Sequence, residues 1–141
     1  MNIKYNFIIL LITLNFSCKY DTTKSEEPQA IQLEGLTLNN NEKWAANEET
    51  HIGMQRIDSI LKNNTSTSGK SLGDILSKQT SYIIKSCDME GEAHDQLHVV
   101  LVPILEEITD IKDVENTSVL EKKVTNLQRL TATYFEYFKI N

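Results

Sequence analysis

The residue types best suited to chemistry are concentrated in one short segment, Ser86 to His98. This segment contains the thiol of Cys87 and two of the three histidines of the chain. His94 and His98 are four residues apart, so a helix would place their imidazoles side by side, where they can share one metal ion. With Leu101 taken as the centre of the apolar face, the two rings lie about 20° and 60° from it. We therefore expect both rings to point toward the interior of a helical bundle or its inner edge.

More sulfur and imidazole groups are expected at the same end of such a bundle. In an up-down arrangement, the starts of the first and third helices and the end of the second helix lie at one pole. The candidate metal ligands on these segments are Cys87, His94, His98, Met89, Met54 and His51. Thiolate, thioether and imidazole ligands favour copper, with zinc as the second choice, over calcium or magnesium.

Other interpretations of the same residues remain open. The two histidines are equally typical of exposed, hydrogen-bonded side chains, Cys87 of a small buried hydrophobe, and Met54 of a core residue. Cys87 with His94 also resembles a thiolate–imidazole pair of an enzyme, with Asp95 or Asp88 to orient the imidazole. The sequence contains no phosphate-binding glycine loop or cofactor fingerprint beside this pair, which disfavours an enzyme.

Four helical segments must position these residues. The first is expected to start near Asn47, the second at Ser71, the third to span 92–111, and the fourth to start at a capping box formed by Ser118 and Glu121. Apolar residues recur at helical spacing in each segment, and in the fourth they step by 4, 3, 4, 3 and 4 residues. These patterns predict an all-α domain, an up-down four-helix bundle over residues 36–141.

The start of the chain is typical of an exported lipoprotein. Residues 1–17 have a lysine followed by an apolar run too short to span a membrane, as in a signal peptide. Ser17 precedes Cys18 as in a bacterial lipobox, so Cys18 is predicted to be acylated and to hold the protein to the membrane. The polar residues 18–35 then form a flexible tether. We expect an outer-membrane lipoprotein of the bacterial cell envelope, with surface exposure as an option.

Charge and cysteine content exclude some function classes. The formal net charge of −6 disfavours nucleic acid as a partner, because binding to phosphates requires clustered Lys and Arg. With Cys18 acylated, Cys87 is the only free thiol, so the chain has no internal disulfide.

The run from Cys87 to His98 resembles a family of small, largely uncharacterised envelope proteins of Bacteroidota. The similar positions are Cys87, Met89, Gly91, Ala93-His94, Leu97-His98 and Pro103, together with the segment that leads to Trp44. The charged residues after Cys18 are also similar to the surface-export signal of lipoproteins from that phylum. The resemblance implies a helical bundle that handles copper or another heavy metal.

Two function classes follow from these observations. The first is a lipid-anchored bundle that binds copper or zinc at one pole, as a buffer, sensor or metallochaperone. The second is a non-catalytic surface lipoprotein that binds another envelope protein and no metal.

Overall fold

Four helices account for most of the part of the chain described by this computed structural model, residues 28–141. Helix α1 spans Glu48–Lys62, α2 spans Gly69–Ser86, α3 spans Gly91–Ile111 and α4 spans Thr117–Tyr137. Each helix packs against the next one along the chain, and α1 also packs against α4, so the four form a closed ring. The short connections make sequential neighbours antiparallel. The prediction of an all-α, up-down four-helix bundle is confirmed.

Helix starts agree with the sequence patterns to within a few residues. Helix α2 begins earlier than Ser71, because the Ser68 side chain accepts a hydrogen bond from the Ser71 backbone N–H and so caps the helix. Helix α4 is capped by Asn116, whose side chain accepts from the Val119 N–H, rather than by the predicted box at Ser118. Both differences arise because a cap two or three residues upstream satisfies the free N–H groups of the first turn.

The core is formed by the inward faces of all four helices. Its largest fully buried side chains come from every helix and from the segment after α4: Met54, Ile57, Leu61, Leu72, Leu76, Ile83, Leu97, Ile104, Ile108, Ile111, Tyr134 and Phe138. Most are aliphatic, and along each helix they recur at the spacing of one amphipathic face. The burial of these apolar side chains is the main stabilising contribution to the bundle.

A small parallel sheet, which was not predicted from the sequence, joins the segment before α1 to the segment after α4. Strand β1, Trp44–Ala46, precedes α1, and strand β2, Phe138–Ile140, follows α4. Trp44 pairs with Phe138, and Ala46 pairs with Ile140. The Phe138 ring is stacked on the ring of Tyr134, with centroids 5.0 Å apart. The sheet fixes the start of α1 against the end of α4.

Part of the predicted tether is packed against the bundle. We call residues 28–38 the N-terminal strap. Leu36 is buried, and Ile31 and Leu33 are half-buried against the core. Within the predicted tether, residues 28–35 thus lie against the bundle, because the spaced apolar side chains of Ile31 and Leu33 cover part of its surface. The predicted signal peptide 1–17, the acylated Cys18 and the tether up to residue 27 lie outside the described residues.

None of the helices in residues 28–141 is both long enough and apolar enough to cross a membrane.

Candidate functional site

The segments that carry the predicted metal ligands meet at one end of the bundle, which we call the His pole. It is formed by the starts of α1 and α3 and the ends of α2 and α4. His51 lies in the first turns of α1, Cys87 directly follows α2, and His94 lies in the first turn of α3. The Asn47 side-chain amide donates to the Ser86 carbonyl oxygen at 2.9 Å, which joins the start of α1 to the end of α2. The topology thus brings these segments together as expected.

His94 and His98 form an adjacent pair on α3. Their ring centroids are 4.3 Å apart and the ring planes are inclined by 57°. His94 is half-buried, and His98 is exposed. The side-by-side arrangement agrees with the spacing prediction, and it leaves the His98 ring accessible from solvent.

The expectation that both rings point inward is wrong for His98. Val100 and Ile104 have no exposed surface, and Leu97 is only 1 % exposed. The buried face of α3 is therefore centred between Leu97 and Ile104 and not on Leu101. On a helix with about 100° per residue, this shift rotates His98 to about 110° from the centre, onto the solvent side.

A second group of polar side chains surrounds the buried Tyr134 of α4. The Tyr134 hydroxyl and the Nδ1 of His51 are 3.3 Å apart, within hydrogen-bonding distance. The His51 ring also meets the edge of Phe135, with centroids 5.6 Å apart. Burial raises the pKa of the Tyr134 phenol far above its ordinary value, and the neighbouring Cys87 raises it further. The thiol after α2, the phenol of α4 and the imidazole of α1 therefore share one region of the His pole.

His51 is held as a neutral imidazole more strongly than a free histidine. Its pKa is lowered, first because burial disfavours the charged ring and second because the positive charge of Lys43 is nearby. The Lys43 ammonium itself donates to the Phe135 carbonyl oxygen near the end of α4 at 2.6 Å. A neutral imidazole is the form that can bind a metal ion.

The two methionines of the predicted site have different surroundings. Met54 has no exposed surface and belongs to the hydrophobic core, as the alternative interpretation of this residue stated. Met89 is half-buried in the α2–α3 link and packs against the core, as Cys87 does. The thioether of Met54 is thus enclosed by apolar neighbours, which is the ordinary environment of a core methionine.

The candidate ligands do not form one multidentate cluster in the described structure. Within residues 28–141, no group of three or more His, Cys, Asp or Glu side chains is arranged to hold a metal ion. The structure instead divides the predicted residues between the His94–His98 pair and the group around Tyr134. Chain connectivity predicts the end of the bundle at which these residues lie. It does not predict toward which side of α3 each of them faces.

Three residues of this region were not singled out as polar site residues by the sequence. Tyr134 was expected only to close the core, although its position on the apolar seam of α4 is a signal that its hydroxyl would be buried. Asn47 and Thr50 lie on one face of α1, and the Oδ1 of Asn47 and the Oγ1 of Thr50 are buried without a hydrogen-bond partner in the described residues. An unpaired buried oxygen costs about 1–3 kcal/mol relative to a hydrogen-bonded one.

A scan against protein-family models, a search of curated proteins and a search of solved structures each found no match to this chain. The resemblance to Bacteroidota envelope proteins therefore remains a prediction that rests on the motif from Cys87 to His98.

Proposed function

We propose that this protein is a lipid-anchored envelope protein that binds a copper or zinc ion at the His pole, as a buffer, sensor or metallochaperone. The observation that carries the proposal is the His94–His98 pair, with ring centroids 4.3 Å apart. Two imidazoles that share a tetrahedral ion, with bonds of about 2.0–2.1 Å, have centroids about 5 Å apart. Small side-chain rotations therefore suffice for both rings to contact one ion.

The exposure of His98 favours exchange of the ion over permanent storage. Two imidazoles occupy only part of the coordination shell, so water or a ligand from another molecule would complete it. The neighbouring Glu92 and Asp95 are exposed. Together with the net charge of −6, they attract cations toward this end of the molecule. An open, acidic, two-histidine site fits a carrier or buffer better than a structural metal centre.

The sulfur ligands give the proposal a second form for reduced copper. Cys87 and Met89 follow α2 within three residues and are both half-buried. Thiolate and thioether prefer Cu(I), whereas the imidazole pair prefers Cu(II) or Zn(II). The oxidation state of the copper would then determine which ligands are used.

Metal titration with matched variants tests this proposal. The mature chain, residues 18–141, carries Cys18→Ser in place of the proposed lipid and is titrated separately with Zn(II) and Cu(II) by calorimetry. We expect one ion per chain, and loss of binding in His94→Ala and in His98→Ala. His51→Ala is the control, because it removes the third histidine of the chain but leaves the pair intact. Unchanged binding in both pair variants, or equal loss in the control, would refute the assignment.

The sulfur ligands need their own titration. Cu(I) is added under a reducing atmosphere to the same chain and to Cys87→Ser. If Cys87→Ser loses Cu(I) affinity but keeps its Zn(II) affinity, the result would support separate ligands for the two ions, sulfur for Cu(I) and imidazole for Zn(II). Equal Cu(I) affinity in the two chains would remove Cys87 from the site.

The alternative function, an interaction module without metal, is less well supported by the surface. In residues 28–141 the large exposed apolar side chains come from separate parts of the fold: Leu38, Ile75, Ile84, Val102, Val119 and Ile140. Ile75 and Ile84 are nine residues apart and so lie on opposite sides of α2. Single exposed apolar residues of this kind are normal in monomeric proteins.

A further inference from the structure

The N-terminal strap, residues 28–38, crosses the bundle from α4 to α3, and one side chain of each helix makes two polar contacts with its backbone. The Thr133 hydroxyl of α4 accepts from the Ile31 N–H at 2.8 Å and lies 3.0 Å from the Ile31 carbonyl oxygen. The Gln96 side chain of α3 accepts from the Thr37 N–H at 2.7 Å and donates to the Gly35 carbonyl oxygen at 3.1 Å. Each of the two side chains therefore faces both a donor and an acceptor of the strap backbone.

The remaining polar contacts of the strap are of the same kind. The Arg129 Nε donates to the Gln29 carbonyl oxygen at 3.3 Å, and the Trp44 indole N–H donates to the Thr37 carbonyl oxygen at 2.6 Å. Within the strap, the Leu36 N–H donates to the Leu33 carbonyl oxygen. Among the described residues, no backbone-to-backbone hydrogen bond links the strap to a helix. The strap is thus attached through side chains and does not belong to any backbone ladder of the bundle.

Apolar burial along the strap is incomplete. Only Leu36 is buried, while Ile31 and Leu33 are half-buried and the residues between them are exposed. The helix cores, in contrast, contain many side chains with no exposed surface. A segment with few buried apolar contacts and solvent-accessible hydrogen bonds opens more readily than the core it covers.

A tight turn separates the strap from the rest of the fold. Asn39 and Glu42 exchange two backbone hydrogen bonds of 2.9 Å, and the two residues between them have positive φ, 50° at Asn40 and 68° at Asn41. This is the geometry of a two-residue hairpin turn, for which asparagine is well suited. The turn retains its own bonds when the strap leaves, so it stays with the bundle and the backbone can rotate directly before it, between Leu38 and Asn39.

We propose that the N-terminal strap is a detachable latch, which opens as one unit about the bonds between Leu38 and Asn39 while the Asn39–Glu42 turn and the four helices remain folded. Thr133 and Gln96 are its two fastening points.

The consequence for the anchored protein rests on the proposed function. If Cys18 carries the lipid, residues 19–27 alone connect the membrane to the closed strap. Opening would add the 11 residues 28–38, which extend to about 36–40 Å at the usual 3.3–3.6 Å per residue. The latch would therefore lengthen the reach of the bundle from the membrane without unfolding it.

Native-state hydrogen exchange followed by NMR tests the latch independently of lipid and metal. The sample is residues 18–141 with Cys18→Ser. We expect the amides of Ile31 and Thr37 to exchange at least about a hundredfold faster than the amide of Leu101 in the core of α3. Equal protection of the strap and core amides, with the same dependence on denaturant, would overturn the proposal, because the strap would then open only when the bundle unfolds.

Two variants test whether the strap opens as one unit. Thr133→Val removes the fastening at Ile31, and the informative readout is the distant Thr37 amide, which should exchange about tenfold faster. Gln96→Leu is the reciprocal variant, read at Ile31. Thr131→Val is the control, since the hydroxyl of this buried residue donates only to the Leu127 carbonyl oxygen within its own helix. Acceleration confined to the residue that lost its partner would refute a single opening unit, even if the strap proved less protected than the core.

Discussion

Gly53 of α1 lies directly against Ile83 of α2, and its replacement by alanine gives a prediction whose sign depends on the structure. A Cβ at this position would lie 2.3 Å from Cγ1 and 2.9 Å from Cδ1 of Ile83. Carbon atoms in contact prefer separations of about 3.5–4.0 Å, so one group must move by about 1.2 Å or more. Ile83 has no exposed surface and its Cγ1 is close to the backbone, so the helices themselves must separate.

The expected magnitude is the difference of two opposing effects. Forcing an extra carbon into a packed interior costs about 1–3 kcal/mol, and a fully buried neighbour places this site in the upper half of that range. Replacement of glycine by alanine within a helix contributes about 1 kcal/mol in the opposite direction. We therefore expect Gly53→Ala to lower the free energy of unfolding by about 1–2 kcal/mol.

Urea denaturation followed by circular dichroism measures this change, and a double-mutant cycle identifies its cause. Ile83→Ala removes both clashing atoms, so Gly53→Ala should cost less in that background, with a coupling energy of about 1 kcal/mol or more. The separation of α1 should also lengthen the 3.3 Å contact of His51 with Tyr134, which NMR of the His51 ring would detect. If Gly53→Ala instead raises stability by about 1 kcal/mol, helix propensity alone acts there and the packing argument fails.

Three further predictions concern pH, a cap and the strap. The pKa of His51 is lower in the folded protein than its ordinary value of 6.5, so on acidification the unfolded chain binds a proton first. The contribution of His51 to the free energy of unfolding is therefore complete above pH 6.5 and decreases as the pH falls below that value. His51→Gln should reduce this pH dependence in denaturation curves at pH 7.5, 6.5 and 5.5. Asn116→Ala should lower the free energy of unfolding by about 1 kcal/mol in urea denaturation, because the Val119 N–H in the first turn of α4 loses its cap. Gly35 has a φ of +83°, which disfavours alanine although the space around it is open. Gly35→Ala should therefore destabilise the closed strap by about 1 kcal/mol and accelerate hydrogen exchange in the strap alone.

The arrangement of helices was largely predictable from the sequence. Apolar residues at helical spacing, with polar caps and short connections between them, specify four amphipathic helices that can bury their faces only against one another. The β1–β2 sheet was not predictable, because three-residue strands separated by the whole bundle have no local signal. Trp44 and Phe138 meet only after the helices have brought their ends together.

The direction of the candidate ligands was less predictable than their location. The i, i+4 spacing of His94 and His98 fixes their proximity, because helix geometry is local. Their rotation relative to the core depends on which neighbouring residue is buried, and here Val100 packs inward and turns His98 outward. The same holds for the strap, whose attachment at Thr133 and Gln96 joins residues distant in the sequence.

The sequence by itself determined the four helices, their order around the bundle and the collection of thiol, thioether and imidazole residues at one end. These properties follow from periodicity and chain connectivity, which are encoded within each segment. The tertiary structure decided which of those side chains face the solvent, which share the surroundings of Tyr134, and how the residues before the first helix are held. Such properties depend on packing between segments that are far apart in the chain, where a rotation of one helix by a fraction of a turn changes every contact on its surface.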